Sequence, residues 1–136
     1  MNVILLVGLV AVGFFVVQIY NRLVRLRNSS ESAWSDIDVQ LKRRHDLVPN
    51  LVETVKGYAS HEKGTFEAVT AARAAATSAN GAAESGAAEN ALGGALRGLL
   101  AVAEDYPELK ANENFQELQG ELSSLEEAIQ NSRRYY

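Results

Sequence analysis

Trp34, Ile37, Leu41, His45, Val48, Val52, Val55 and Ala59 follow one another in steps of three or four. That rhythm places one side chain per turn on a single face of a helix. A helix with one long apolar stripe is stable only when the stripe is packed, so this stretch commits the chain to a helical bundle. Pro49 lies within it. A proline there lacks a backbone N–H and crowds the carbonyl four residues back, that of His45, at a penalty of about 3 kcal/mol in a helix interior. The apolar register is kept across Pro49, which favours a kinked helix over a break and requires packing to hold the kink. Phe66, Val69 and Arg73 continue the spacing, with Glu62 as the charged interruption. One helix is therefore expected from near Ser30 toward Ala76, roughly 65–70 Å long at about 1.5 Å per residue. Such a length implies protrusion from a small bundle or pairing between subunits.

The segment Val3 to Val17, extended by Ile19 and Tyr20, has no charged side chain and approaches the roughly 20 residues that span a bilayer. No basic residue precedes it and no small-residue cleavage site follows, which favours a membrane anchor over a cleaved signal. Arg22, Arg25 and Arg27 come next. By the positive-inside rule they put the C-terminal domain in the cytoplasm and the N-terminus outside, with Tyr20 in the interfacial belt. Asn28, Ser29 and Ser30 leave two readings open, a short hinge or an anchor that runs unbroken into the next helix. The organisation expected is an anchor over 1–21, a juxtamembrane segment over 22–32 and a helical bundle over 33–136.

Further along, residues 71–98 are rich in Ala, Gly and Ser, with turn signals at Asn80-Gly81 and Ser85-Gly86, and read as a reversal between helices. A second soluble helix is expected from about Ala87 to Glu104, burying Leu92, Leu96, Leu99, Leu100 and Ala103. Gly94, Ala95 and Gly98 would admit a close neighbour. Tyr106-Pro107 stops that helix, Leu109 tucks into the core, and Asn112 or Asn114 caps the last one. There Phe115, Leu118, Leu122, Leu125 and Ile129 alternate by three and four without exception. The fold class is all-α: a transmembrane helix, then an antiparallel bundle with three visible soluble helices, or four if the chain continues.

Chemistry is sparsely signalled. With a net charge of −4 and a pI near 5.2, the chain lacks the basic face that nucleic-acid binding needs. No cysteine is present, which removes thiolate metal sites and a cysteine nucleophile. His61-Glu62 lacks the second histidine of HExxH, and no metal or cofactor is expected. The basic run Lys42, Arg43 and Arg44 is read as pairing with the acidic last helix or with Asp36, Asp38 and Asp46. His45 is read as a core or partner-satisfied histidine. Asp46, Asn50 and Glu53 share a face able to line a polar groove, so a small-ligand or enzymatic site around Arg44, His45, Asp46 and Asn50 stands as the minor alternative.

The runs AWSDIDVQLKRRHDLVPNLVETVKGYASHE and EDYPELKANENFQELQGEL, with the closing RRYY, resemble the LemA family of bacterial and archaeal membrane proteins. The resemblance implies a single N-terminal transmembrane helix in the cytoplasmic membrane and a cytoplasmic bundle of long antiparallel helices. Relatives are often encoded near membrane proteases, and no catalytic residue is defined for the family. Trp34, Arg43, His45, Asp46, Pro49, Asn50, Tyr106 and Pro107 fall within the matching runs, and the interaction sites expected are these together with Lys42 and Arg44. Members commonly continue past RRYY with another helical stretch. The expected role is a non-enzymatic, homo-oligomeric scaffold on the lipid bilayer that organises membrane-protein partners, with a membrane-protease adaptor as the alternative.

Overall fold

The computed structural model describes residues 2–134. The elements are α1 (Asn2–Lys56), α2 (Lys63–Ser78), α3 (Gly81–Glu104), a single turn α4 (Pro107–Lys110) and α5 (Glu113–Arg133). No strand occurs among the described residues. The all-α expectation holds, while two tyrosines of the RRYY element lie outside the described residues.

Helix α1 settles the open question at Asn28 to Ser30 in favour of continuity, because the whole of Asn2–Lys56 is one helix of 55 residues. At about 1.5 Å per residue it is roughly 80 Å long. Arg27 Nε donates to Glu31 Oε1 at 2.9 Å across the turn that follows the apolar stretch, an i,i+4 pair that supports helix where Asn and Ser do not. The large apolar side chains from Val3 to Leu26 are uncovered, and this half of α1 is long and apolar enough to cross a membrane. Burial begins at Ala33 and continues through Ile37, Leu41, Leu47, Val48, Leu51, Val52 and Val55.

The single helix expected from Ser30 toward Ala76 is instead two. It breaks between Lys56 and Lys63, so three expected soluble helices become four long packed segments, and the fourth comes from this corner and not from further chain. Gly57 is a weak helix former, and the end tightens as Tyr58 N–H turns to the Val55 carbonyl at 3.0 Å. Ala59 plugs the corner at 1 % exposure, while Phe66 beyond it is buried on α2. Both keep the apolar count while the chain reverses, which is why periodicity ran straight through the break. The charged interruption at Glu62 was the local sign of it.

The second expected helix start also moves, from Ala87 to Gly81. The reversal is confined to Ala79 and Asn80, and Gly81 takes φ +78°, a left-handed conformation that glycine adopts without steric penalty. At the other end of α3, Tyr106 precedes Pro107, which stands in the first turn of α4, where its missing N–H is harmless. Leu109 is fully buried. Asn112 caps α5, its side-chain oxygen accepting from Phe115 N–H at 2.9 Å.

Helix α5 returns antiparallel to α1. At the far end Asn114 donates to Thr54 Oγ1 at 3.1 Å and Asn112 to the Tyr58 hydroxyl at 3.0 Å. At the near end Ile129 packs with Ile37 and Leu41, half-covered by Trp34. Between these ends one core unites Leu51 and Val55 of α1, Val69 of α2, Leu92 and Leu99 of α3, Leu109, and Leu122 of α5. Every residue of the expected α5 seam is buried, as are Leu92, Leu96, Leu99 and Ala103 of α3, while Leu100 is half-buried. Full burial stabilises each such leucine by about 1.5–3 kcal/mol. Gly94 and Gly98 face solvent, so among the described residues no helix uses the close approach they permit.

Candidate functional site

Among the described residues three charged or titratable side chains are carried into the core: Arg44 at 3 %, His45 at 9 % and Glu89 at 2 % exposure. Arg44 and His45 are consecutive on α1, and a turn of about 100° between them keeps both on the broad face turned toward α3. Glu89 comes from α3, one turn before Leu92 on the same buried stripe. Its two carboxylate oxygens are divided, one taking Arg44 Nη2 and the other His45 Nε2. A carboxylate oxygen accepts, so this contact fits a His45 ring that carries a proton on Nε2.

Arg44 does more than pair with that carboxylate. Its Nη2 also donates to the Glu89 carbonyl at 3.1 Å, and Nη1 donates to Glu126 Oε1 on α5 at 2.6 Å. One guanidinium thus ties three helices together, using the fork geometry that a lysine lacks. Its Nε is buried without a hydrogen-bond partner among the described residues.

A second device sits one helical turn away. In a regular helix the His45 carbonyl would accept from the N–H of residue 49, and Pro49 has none. Arg73 of α2 supplies the missing donor, its Nε bonding the His45 carbonyl oxygen at 2.7 Å. The cross-helix bond explains how a 55-residue helix continues through an internal proline. The vacancy in α1's own ladder becomes a specific attachment point for α2.

The residues singled out from sequence are distributed unequally. Arg44 and His45 enter this cluster, but Asp46 and Asn50 do not join them. Those two face an open groove of about 580 Å³ between α1 and α5, shared with Gln40, Arg43, Glu121 and Ser124. The helical rotation that buries Arg44 and His45 turns Asp46 and Asn50 outward, so the four do not form one polar site. Of the basic run, only Arg44 reaches the acidic last helix directly. Lys42 pairs with Asp38 in its own helix at 2.8 Å, and Arg43 lines the groove opposite Glu121. Trp34 is half-buried in the smaller cluster, and Tyr106 packs against the main core. His61 is exposed in the corner, and Tyr20, Arg22 and Arg25 are exposed along α1.

Glu89 was not singled out from the sequence. Its signal is a carboxylate on an apolar stripe, seven residues before Leu96, in a chain whose opposing stripe carries a histidine. Compared with known protein families, residues 33–136 match the LemA family. The chain belongs to the LemA family. The match starts at Ala33, the first residue of α1 with a buried side chain, so it coincides with the bundle. The apolar half of α1 precedes it. A comparison with curated proteins finds no match. Within the LemA region, the buried arginine, histidine and glutamate act as a fastening of α1 to α3 and α5.

Proposed function

We propose that this LemA protein is a membrane-anchored helical scaffold that self-associates and organises membrane or membrane-protein partners without catalysis. The observation that carries this reading is the continuity of α1 from its uncovered apolar half into the core of the bundle. No linker intervenes, so the bundle is held at a fixed height and azimuth relative to the anchor, as a platform requires. The buried polar groups are engaged with one another across three helices, which makes them fasteners of the platform. Outside, the exposed small residues Ala87, Ala91, Gly94 and Gly98 on α3 and the charged faces of α1 and α5 supply surfaces for lateral pairing.

Particle mass in detergent and in nanodiscs tests the reading. Discrete multimers are expected in both, and a monodisperse monomer in both would overturn self-association. A protease adaptor is the second reading, favoured by the exposed Glu113, Glu117, Glu121 and Glu127 along α5. It predicts that affinity capture from native membranes enriches a membrane protease and that Glu117→Lys with Glu121→Lys abolishes the enrichment. Capture without a protease, or indifference to the charge reversal, removes it.

A further inference from the structure

We propose that the end of the bundle nearest the apolar half of α1 is a docking surface for an anionic phospholipid bilayer, formed jointly by Arg22, Arg25 and Arg27 of α1 and by Arg133 and Arg134 at the end of α5. The proposal rests on the membrane-anchor reading above and adds which surface meets the lipid and with what chemistry.

The two groups of arginines are remote in sequence, and the antiparallel return of α5 brings them to the same end of the molecule. Beyond Ile129, which packs on Ile37 and Leu41, Arg133 lines a recess of about 210 Å³ with Trp34 and Ile37. Asn131 and Ser132 line a polar recess with Ser29, Ser32 and Asp36. Arg133 therefore stands level with Trp34, about 10 Å along the axis from Arg27 and about 18 Å from Arg22 at the helical rise. If the hydrocarbon edge falls near Tyr20 to Arg22, the headgroup layer extends some 5–8 Å further. A Debye length of about 8–10 Å then carries the field of anionic headgroups to the level of Arg133 and Arg134.

Exposure and charge favour this face. All five arginines are exposed. The acids nearby are Glu31, Asp36, Asp38 and Glu84, of which Glu31 pairs with Arg27 at 2.9 Å, Asp38 with Lys42 at 2.8 Å, and Glu84 accepts from Asn80 N–H at 3.1 Å. The opposite end carries exposed Glu53, Glu104, Asp105, Glu108, Glu113 and Glu117 against Lys56, Lys63 and Lys110. A chain of net charge −4 is thus polarised along α1, with its positive pole beside the apolar segment and its negative pole far from it. An anionic leaflet attracts the first and repels the second, which holds the bundle upright on its anchor.

The full chain lacks cysteine, so a donor dye can be placed at a single exposed position by Gln130→Cys, with Glu108→Cys as the distal control. Each labelled chain is reconstituted into phosphatidylcholine nanodiscs containing about 30 % phosphatidylglycerol, a regime in which basic residues bind detectably. Energy transfer is compared for trace acyl-labelled phosphatidylglycerol and trace acyl-labelled phosphatidylcholine. The expected result at the Gln130→Cys position is a local phosphatidylglycerol excess of at least about threefold, lost in high salt and lowered at least about twofold by Arg133→Gln with Arg134→Gln. Helix content by circular dichroism should stay unchanged in that variant.

Equal transfer from the two lipids overturns the proposal. So does an excess indifferent to Arg133→Gln with Arg134→Gln, which would confine lipid contact to α1. Displacement of the excess by inorganic phosphate at constant ionic strength would point to a free-anion site and also overturn it. Failure to incorporate into pure phosphatidylcholine nanodiscs would instead strike the anchor reading, a separate and distinguishable outcome.

Discussion

Glu89→Ala is expected to destabilise the bundle by about 3–5 kcal/mol, because it strips a buried arginine and a buried histidine of the carboxylate they share. Arg44 would keep Glu126, a carboxylate 42 % exposed, and the backbone carbonyl of residue 89, while its buried charge would lose the carboxylate that faces it from α3. Denaturant unfolding of the full chain in detergent, followed by circular dichroism, measures the loss. A small helical bundle has a total stability on the order of 5–15 kcal/mol, so the cooperative transition should shift far or disappear. The variant Arg44→Met with Glu89→Leu keeps the volume and removes both charges of a buried pair, a replacement often neutral in stability, and leaves His45 Nε2 as the buried group without its carboxylate. It should be markedly more stable than Glu89→Ala. An effect of Glu89→Ala below about 1 kcal/mol, the range of surface ion pairs, would contradict the assignment of this cluster as the fastening of α1.

The second large effect is a coupling between two helices that no salt bridge or apolar contact would produce. Arg73→Met should destabilise the bundle by about 1–3 kcal/mol, the range for a carbonyl left without its donor. In the Pro49→Ala background the same substitution should be much milder, since residue 49 then offers its own N–H to the His45 carbonyl. The double-mutant cycle is expected to give a coupling of roughly 1–2 kcal/mol between Pro49 and Arg73. Additive effects would mean that the 2.7 Å bond from Arg73 to the His45 carbonyl does not compensate for the proline. The same cycle tests whether Pro49 itself shapes assembly: Pro49→Ala should alter particle size with little change in helix content.

The apolar stripes of this chain were legible because each helix buries one face and polar residues cover the rest. Phe115 through Ile129 could be placed in the core from spacing alone, and Leu109 and a cap at Asn112 or Asn114 from the proline before them. The corner at Gly57 was not legible, since Ala59 and Phe66 satisfy the same count whether the helix continues or reverses. Periodicity reports which residues are buried, and it is blind to a turn whose own residues are buried in register. The site was half legible for a related reason. His45 stood on the stripe and its partnered state could be anticipated, but its partner is a single glutamate among alanines and glycines. Arg73 presented as one more position in the spacing. Its bond to a backbone carbonyl depends on how α2 lies against α1, a tertiary fact that helical wheels do not contain.

Helix α1 is one uninterrupted rod from its apolar N-terminal half to the far end of the bundle. Spin labels at Asn21→Cys and Glu53→Cys, both exposed positions on α1, read this directly in nanodiscs when labelled chains are diluted with unlabelled ones. A narrow distance distribution centred at about 48 Å is predicted from the helical rise. A broad distribution, or one centred well below that distance, would mean a hinge between the apolar half and the bundle and would contradict a continuous α1.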